Sequence, residues 1–231
     1  MANSLRIWNK LLGAILEIPG AKVNWTKFLE SELRQYCDES TFNDVLDGSI
    51  ASYEAISKTL LEKIANQRIK YNKNRASASS FIMGLPGGIA IAATLPADIV
   101  QYYYFLFKTA QELAYLYGFP DFCDADGELT ERSLNTLTIL IGVMSNDTTM
   151  TAGLKFLSKQ FFDQMPKAVL YDIAREAAKT LGVRISQRSF ARSITKFVPV
   201  LAGIGSGVIT WSSFMSAANR LKKRLQTNLP S

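Results

Sequence analysis

The sequence predicts an all-α protein, a multi-helix bundle with two glycine-rich apolar helical segments. Three observations predict this fold class. Apolar residues recur at the three- and four-residue spacing of amphipathic helices, signals for β-strands are nearly absent, and residues that cap or end helices stand between the periodic stretches. With 231 residues, of which 48% are hydrophobic and 20% charged, the chain is long and apolar enough to bury a substantial core.

Three helices are predicted in the first 75 residues. The apolar stripe of the first consists of Leu5, Trp8, Leu12 and Ile15. Pro19 and Gly20 end this helix, and Asn24 is placed to cap the next one. The stripe of the second consists of Trp25, Phe28, Leu29 and Tyr36, and that of the third of Tyr53, Ile56, Leu60 and Ile64. The third helix ends in a basic stretch that reaches Arg75, which suits a helix C-terminus.

A later helix is predicted between Pro166 and Gly182, because proline favours the first turn of a helix and glycine the position after its end. Its inner apolar residues are Val169, Ile173, Ala177 and Leu181. No internal repeat occurs, and no linker rich in glycine, proline or serine divides the chain. The sequence therefore indicates an N-terminal helical arm, residues 1–75, on an all-α domain, residues 76–231.

The chain contains no histidine, which excludes Ser-His-Asp and Cys-His catalysis, two-histidine zinc sites and histidine-ligated haem. Cys37 and Cys123 lie far apart, and we expect them to be reduced thiols in a cytosolic setting. An acidic loop around Asp124 fails as a calcium loop, since Phe122 and Ser133 fall at the first and twelfth ligand positions. We therefore predict no catalytic residues, no cofactor and no metal ion.

Charge is distributed unevenly along the chain. Residues 1–75 carry 11 basic and 9 acidic side chains, residues 76–150 carry 2 and 8, and residues 151–231 carry 13 and 3. After Glu176 no acidic residue occurs, whereas nine lysines or arginines do. Such one-signed charge indicates a polyanion partner, either nucleic acid or an anionic membrane surface. No helix-turn-helix, zinc or RNA-binding pattern accompanies the charge, which argues against nucleic acid.

Two long stretches without charge, residues 76–97 and residues 197–219, interrupt the mixture of apolar and charged residues that is typical of a soluble helical protein. Each is long enough to cross a bilayer, but prolines, glycines and serines interrupt both. Two alternatives stay open: a pair of small-residue helices packed in a buried core, or a re-entrant or spanning hairpin. The helix-packing glycines are Gly84 and Gly88 in the first stretch and Gly203 and Gly207 in the second. Their four-residue spacing lets two helix backbones approach closely.

Eight basic residues of the C-terminal third are the predicted lipid- or anion-binding residues. Those that follow one another at steps of four along one helix face are Arg184, Arg188, Arg192 and Lys196. Those that follow the second uncharged stretch are Arg220, Lys222, Lys223 and Arg224. Val183, Phe190 and Ile194 lie near the face opposite the first group, a pattern typical of an amphipathic helix at an anionic lipid surface. The alternative is a solvated basic face on a core helix.

A polar face follows Pro96 on an otherwise apolar predicted helix. It includes Asp98, Gln101, Tyr102 and Glu112, which we consider a possible pocket for a small molecule or a lipid headgroup. Asp98 and Glu112 are roughly 21 Å apart along the axis, so they cannot act as a carboxylate pair. The alternative role of Asp98 is to stabilise the positive end of its own helix.

Several segments of the chain resemble the bacterial EcsC protein family. They are Leu85–Gly88, Pro96–Asp98, Gln111–Gly118, Pro199–Gly203 and Ser216–Asn219. The resemblance covers roughly residues 75–225. It implies an α-helical bacterial protein in the inner membrane or on its cytoplasmic side, and the family supplies no established catalytic residues to carry over.

The sequence thus predicts a non-enzymatic helical protein on the cytoplasmic side of the bacterial inner membrane, either peripheral or partly inserted through a glycine-rich hairpin. We expect it to dock on anionic lipid through its basic C-terminal third and to serve transport, envelope homeostasis or a defence or toxin system. A membrane protein or a second copy of the chain are further candidate partners. Two alternatives stay open: an enzyme that acts on a lipid or small molecule at the pocket around Asp98, and a soluble module whose basic face binds a protein.

Overall fold

The computed structural model describes residues 2–47, 56–76, 95–145, 164–195 and 205–227; side chains are described for 3–47, 56–76, 95–145, 164–187 and 212–227. About 80% of the described residues are helical, and no β-strand occurs among them. Their eight α-helices are α1 (Ala2–Leu16), α2 (Trp25–Leu33), α3 (Glu39–Leu46), α4 (Lys58–Ala76), α5 (Ala97–Leu116), α6 (Glu131–Met144), α7 (Lys167–Thr195) and α8 (Gly205–Thr227). The predicted all-α multi-helix bundle is confirmed.

The ends of the early helices follow from local chemistry. The Asn24 side chain accepts a hydrogen bond from the backbone N–H of Lys27 at 2.9 Å, so its predicted role as the cap of α2 is confirmed. Gly20 has a φ of +79°, a conformation that turns the chain between α1 and α2. The prediction that Tyr36 belongs to the apolar stripe of α2 is wrong, because α2 ends at Leu33 and Tyr36 is exposed in a short 3₁₀ turn.

The predicted end of a helix at Gly182 is wrong, because α7 continues through this residue to Thr195. The glycine has a packing role instead. A Cβ atom at residue 182 would lie 1.9 Å from the backbone oxygen of Ser4, so only glycine allows α1 to cross α7 this closely. Val169 lies within this helix as predicted, but its side chain is 46% exposed.

Helix α5 is the centre of the bundle, and 17 of its 20 residues are buried. Helices α4 and α8 pack against α5, α8 also packs against α4 and α6, and α7 packs against α1 and α6. Trp8 of α1 meets Tyr103 of α5 edge to face, and Phe214 of α8 meets Tyr102 in the same way. One hydrophobic core therefore includes side chains from both sides of residue 75, and the division of the chain at that residue stays a prediction.

Most of the first uncharged stretch and residues 197–204 of the second lie outside the described residues, including Gly84, Gly88 and Gly203. Gly207 belongs to the first turn of α8. None of the helices in the described part of the chain has the length and apolar character that a bilayer-crossing segment requires.

Candidate anion-binding site

The four residues of the predicted polar pocket point to different neighbours. Asp98 is exposed in the first turn of α5, where its charge suits the positive end of the helix. The side-chain amide of Gln101 donates to the backbone oxygen of Ala76 at 2.8 Å and so ties the end of α4 to the start of α5. Tyr102 faces α8, where its ring contacts Phe214. The structure does not gather these side chains around one cavity.

Glu112, the fourth of them, is buried in a polar network between α4 and α5. Arg68 Nη2 donates to one carboxylate oxygen at 2.7 Å, and Asn72 Nδ2 donates to the other at 2.6 Å. Burial lowers the pKa of Arg68, but its hydrogen bond to Glu112 and the charges of Glu112 and Glu32 outweigh burial and raise that pKa overall. The carboxylate is thus held as the partner of a guanidinium, which leaves it poorly suited to act as a free base.

Tyr102 instead lines a cavity of about 180 Å³ between four helices. Its lining residues are Tyr102 and Tyr103 of α5, Met144 of α6 and Ser145 beside it, Arg184 of α7, and Ser213, Ser216 and Arg220 of α8. The cavity lies where α5 begins and α6 ends. It combines residues that the sequence placed in two separate predicted sites, the polar pocket and the basic C-terminal third.

Arg220 is fixed at this cavity by the end of α6. Its Nε and Nη2 atoms donate to the backbone oxygen of Met144 at 3.1 and 2.6 Å. This oxygen is one of the last carbonyls of α6, which have no partner within the helix and carry its negative dipole end. Burial lowers the pKa of Arg220, and the positive charge of Arg184 lowers it further. The guanidinium still stays protonated at neutral pH.

Arg184 provides a second guanidinium on the same cavity. None of the eight lining residues is acidic, and among the described side chains no carboxylate forms an ion pair with Arg184 or Arg220. Two neighbouring cations without a counter-charge repel each other and attract an anion. Guanidinium groups beside serine and tyrosine hydroxyls are suited to a phosphate or a carboxylate.

The other predicted basic residues have different places in the fold. Lys222 is buried, and its Nζ atom donates to Glu62 at 3.1 Å and to Asn66 at 2.8 Å, which joins α8 to α4. Lys223 is exposed and Arg224 half-buried on α8. The remaining three lie outside the described side chains: Arg188, Arg192 and Lys196. Arg184 and Arg220 are therefore the pair of predicted basic residues that the structure brings together.

Sequence reasoning missed the three serines of this cavity. Ser145 follows the last residue of α6, and Ser213 and Ser216 lie on the face of α8 that includes Arg220. The signal available in the sequence was the spacing of Ser213, Ser216 and Arg220 at steps of three and four on one helix. That spacing alone could not identify α5, α6 and α7 as the other walls.

A larger cavity of about 370 Å³ lies where α6 and α7 begin, and it differs in charge. Glu131 lines it together with Arg132 and Lys167, so both signs of charge are present. Arg132 also donates to the backbone oxygen of Met165 with both terminal nitrogens, at 3.2 Å each. This cavity therefore has no clear preference for an anion or a cation.

The acidic loop between α5 and α6 is stabilised by hydrogen bonds from its backbone to the side chain of Asp124. Asp124 Oδ1 accepts hydrogen bonds from the backbone N–H groups of Asp126 and Glu128, each at 3.0 Å. In the described part of the chain no group of three or more cysteine, aspartate or glutamate side chains is arranged to hold a metal ion.

The fold and the cavity define the chain as an all-α helical bundle with a candidate anion site. Comparison with protein-family models, with curated proteins and with solved structures finds no match. The resemblance to the EcsC family stays a prediction that rests on the sequence segments named above.

Proposed function

We propose that this protein is a non-enzymatic, peripheral membrane protein of the bacterial cytoplasm whose Arg184–Arg220 cavity binds the phosphate of an anionic phospholipid. The observation that supports this function is the pair of guanidinium groups on a cavity without a carboxylate. A bound phosphate oxyanion would relieve their mutual repulsion and accept hydrogen bonds from both. In this proposal the protein serves transport, envelope homeostasis or a defence system by binding the membrane surface.

A lipid is favoured over a free phosphate because two uncharged stretches of the sequence lead into the helices that form the cavity. The uncharged stretch of residues 76–97 leads directly into α5, and that of residues 197–219 includes the first two thirds of α8. The cavity residue Tyr102 follows the first stretch closely, and the cavity residue Ser213 lies within the second. Cationic groups next to apolar chain are typical of proteins that meet the headgroup region of a bilayer.

The alternative, an enzyme with acid–base groups on α5, has weaker support. Glu112 is bound by Arg68 and Asn72, and Gln101 by the end of α4. An enzyme at this place would require a side chain free to transfer a proton near a substrate. The anion-binding cavity needs no such group, and we therefore prefer binding to catalysis.

Vesicle flotation tests the proposal with a matched pair of variants. We expect the protein to float with vesicles that contain phosphatidylglycerol and not with vesicles of phosphatidylcholine alone. Arg184→Gln should weaken binding to the anionic vesicles by roughly fivefold or more, because one cation near a membrane surface contributes on the order of 1 kcal/mol. Arg175→Gln removes the same charge from an exposed position of the same helix, away from the cavity, and should have a smaller effect.

Two results would contradict the proposal. Equal binding by the Arg184 and Arg175 variants would show that the cavity is not the site. Complete displacement from the vesicles by inorganic phosphate would identify a free phosphate, rather than a lipid, as the ligand.

A further inference from the structure

Helix α4 ends in a cluster of cations around an exposed aromatic ring. Lys70 and Arg75 are exposed, and Lys73 is half-buried. The ring of Tyr71 is 45% exposed and lies close to two guanidinium groups. The guanidinium carbon of Arg68 is 4.7 Å from the ring centroid and that of Arg75 is 5.7 Å from it. Arg75 also donates a hydrogen bond to the Tyr71 hydroxyl at 2.9 Å. Exposed aromatic rings beside basic groups are typical of surfaces that meet lipid headgroups.

This cluster lies at the same end of the bundle as the Arg184–Arg220 cavity. The hydrogen bond from Gln101 to Ala76 places the last residue of α4 beside the residue that precedes Tyr102. Arg75 lies near the first turns of α5, because its charge acts on Tyr104 there. Burial raises the pKa of Tyr104, and the positive charge of Arg75 opposes that rise. The exposed carboxylate of Asp98 is at this end too, and the cations outnumber it.

The opposite end of α5 has the reverse charge. The helix is 20 residues long, so its ends are about 30 Å apart. Its C-terminus leads into the loop with Asp121, Asp124, Asp126 and Glu128, of which Glu128 forms an ion pair with Lys22. The bundle therefore has a cationic end and an acidic loop at the other end of its central helix.

We infer that the basic C-terminal end of α4 (Lys70, Lys73 and Arg75) is a second contact for the anionic phospholipid bilayer that the cavity binds. This inference rests on the proposed function and adds an orientation to it. The bundle lies with the start of α5 toward the membrane, and the acidic loop lies away from the negative surface. The cavity holds one headgroup phosphate, while the α4 cluster contacts others through charge and through the Tyr71 ring.

The test compares two double variants of α4 that remove equal charge. Lys70→Gln/Arg75→Gln changes exposed cations at the cavity end, and Lys58→Gln/Lys63→Gln changes exposed cations at the other end of the same helix. On phosphatidylglycerol vesicles we expect the first variant, which lacks two cations, to bind roughly 25-fold more weakly than the unchanged protein, with a reduced dependence on salt. The second should bind within about twofold of the unchanged protein. Circular dichroism checks that both variants fold.

Different results separate this inference from the proposed function. Equal binding by the two double variants, together with weak binding by Arg184→Gln, would overturn the second contact and leave the cavity as the site. Equal binding by all of the variants would overturn both. If Lys70→Gln/Arg75→Gln lost affinity for heparin but not for vesicles, a soluble polyanion would be the partner of α4 and the inference would be wrong.

Discussion

At the scale of single residues, Gly182 shows how one position sets the contact between two long helices. The backbone of α1 passes so close to α7 that a methyl group at residue 182 would overlap Ser4. Gly13, in α1, has open space where its Cβ atom would be. The two glycines are thus alike in helical conformation but differ in their surroundings.

Alanine substitutions at these two glycines should have opposite effects on stability. Alanine favours a helix over glycine by about 1 kcal/mol, so Gly13→Ala should raise the free energy of unfolding by about 0.5–1 kcal/mol. Gly182→Ala should lower it by about 1–3 kcal/mol, because α1 must move to admit the methyl group. Urea denaturation measures both. A Gly182→Ala protein as stable as the Gly13→Ala protein would show that α1 does not cross α7 at Ser4.

At the scale of the elements, polar side chains determine which helices are joined. Gln111 of α5 donates to the backbone oxygen of Ala21 at 2.8 Å and accepts from the N–H of Val23 at 3.0 Å, which fixes the connection between α1 and α2. The Arg68–Glu112 ion pair joins α4 to α5 at a buried position. Buried polar groups with satisfied partners fix the arrangement of helices that apolar contacts alone leave adjustable.

Removal of one partner of the Arg68–Glu112 pair should therefore lower the free energy of unfolding. Glu112→Gln removes the main counter-charge of Arg68 and leaves this partly buried guanidinium with Glu32, 3.5 Å away, and we expect a loss of roughly 2–3 kcal/mol in unfolding free energy. Glu176→Gln is the control, since Glu176 pairs with Lys179 on the exposed side of α7 and should change stability by less than about 0.5 kcal/mol. Thermal and urea unfolding check both variants. Equal stability of the two would mean that Glu112 does not hold α4 on α5.

The elements also show which features the sequence could predict. Caps and periodic stripes are local, and they identified the end of α1, the cap of α2 and the polar first turn of α5. Gly182 misled the prediction because a glycine that ends a helix and one that admits a neighbouring backbone look alike in a sequence. The cavity could not be predicted from the sequence for a similar reason. Gln101 and Tyr102 are neighbours in sequence but face different helices, and only the packing of the helices decides which ones.

At the scale of the whole molecule, the fold separates positive from negative side chains along the bundle. The net charge is +6, yet the cations at the end of α4, together with Arg184 and Arg220, lie toward one end of the central helix, and the acidic loop follows its other end. An anionic surface would orient such a molecule before any specific contact forms. In the proposed function the cavity then provides the specific contact through Arg184 and Arg220, of which Arg220 is held by the backbone oxygen of Met144.

The most direct test of phospholipid binding at the Arg184–Arg220 cavity is a nuclear magnetic resonance titration of the arginine side chains with short-chain phosphatidylglycerol. We expect saturable shifts of the Nε–H signals of Arg184 and Arg220, little change at the exposed Arg175, and a much weaker response to short-chain phosphatidylcholine. Equal shifts at all three arginines, or none at Arg184 and Arg220, would contradict it.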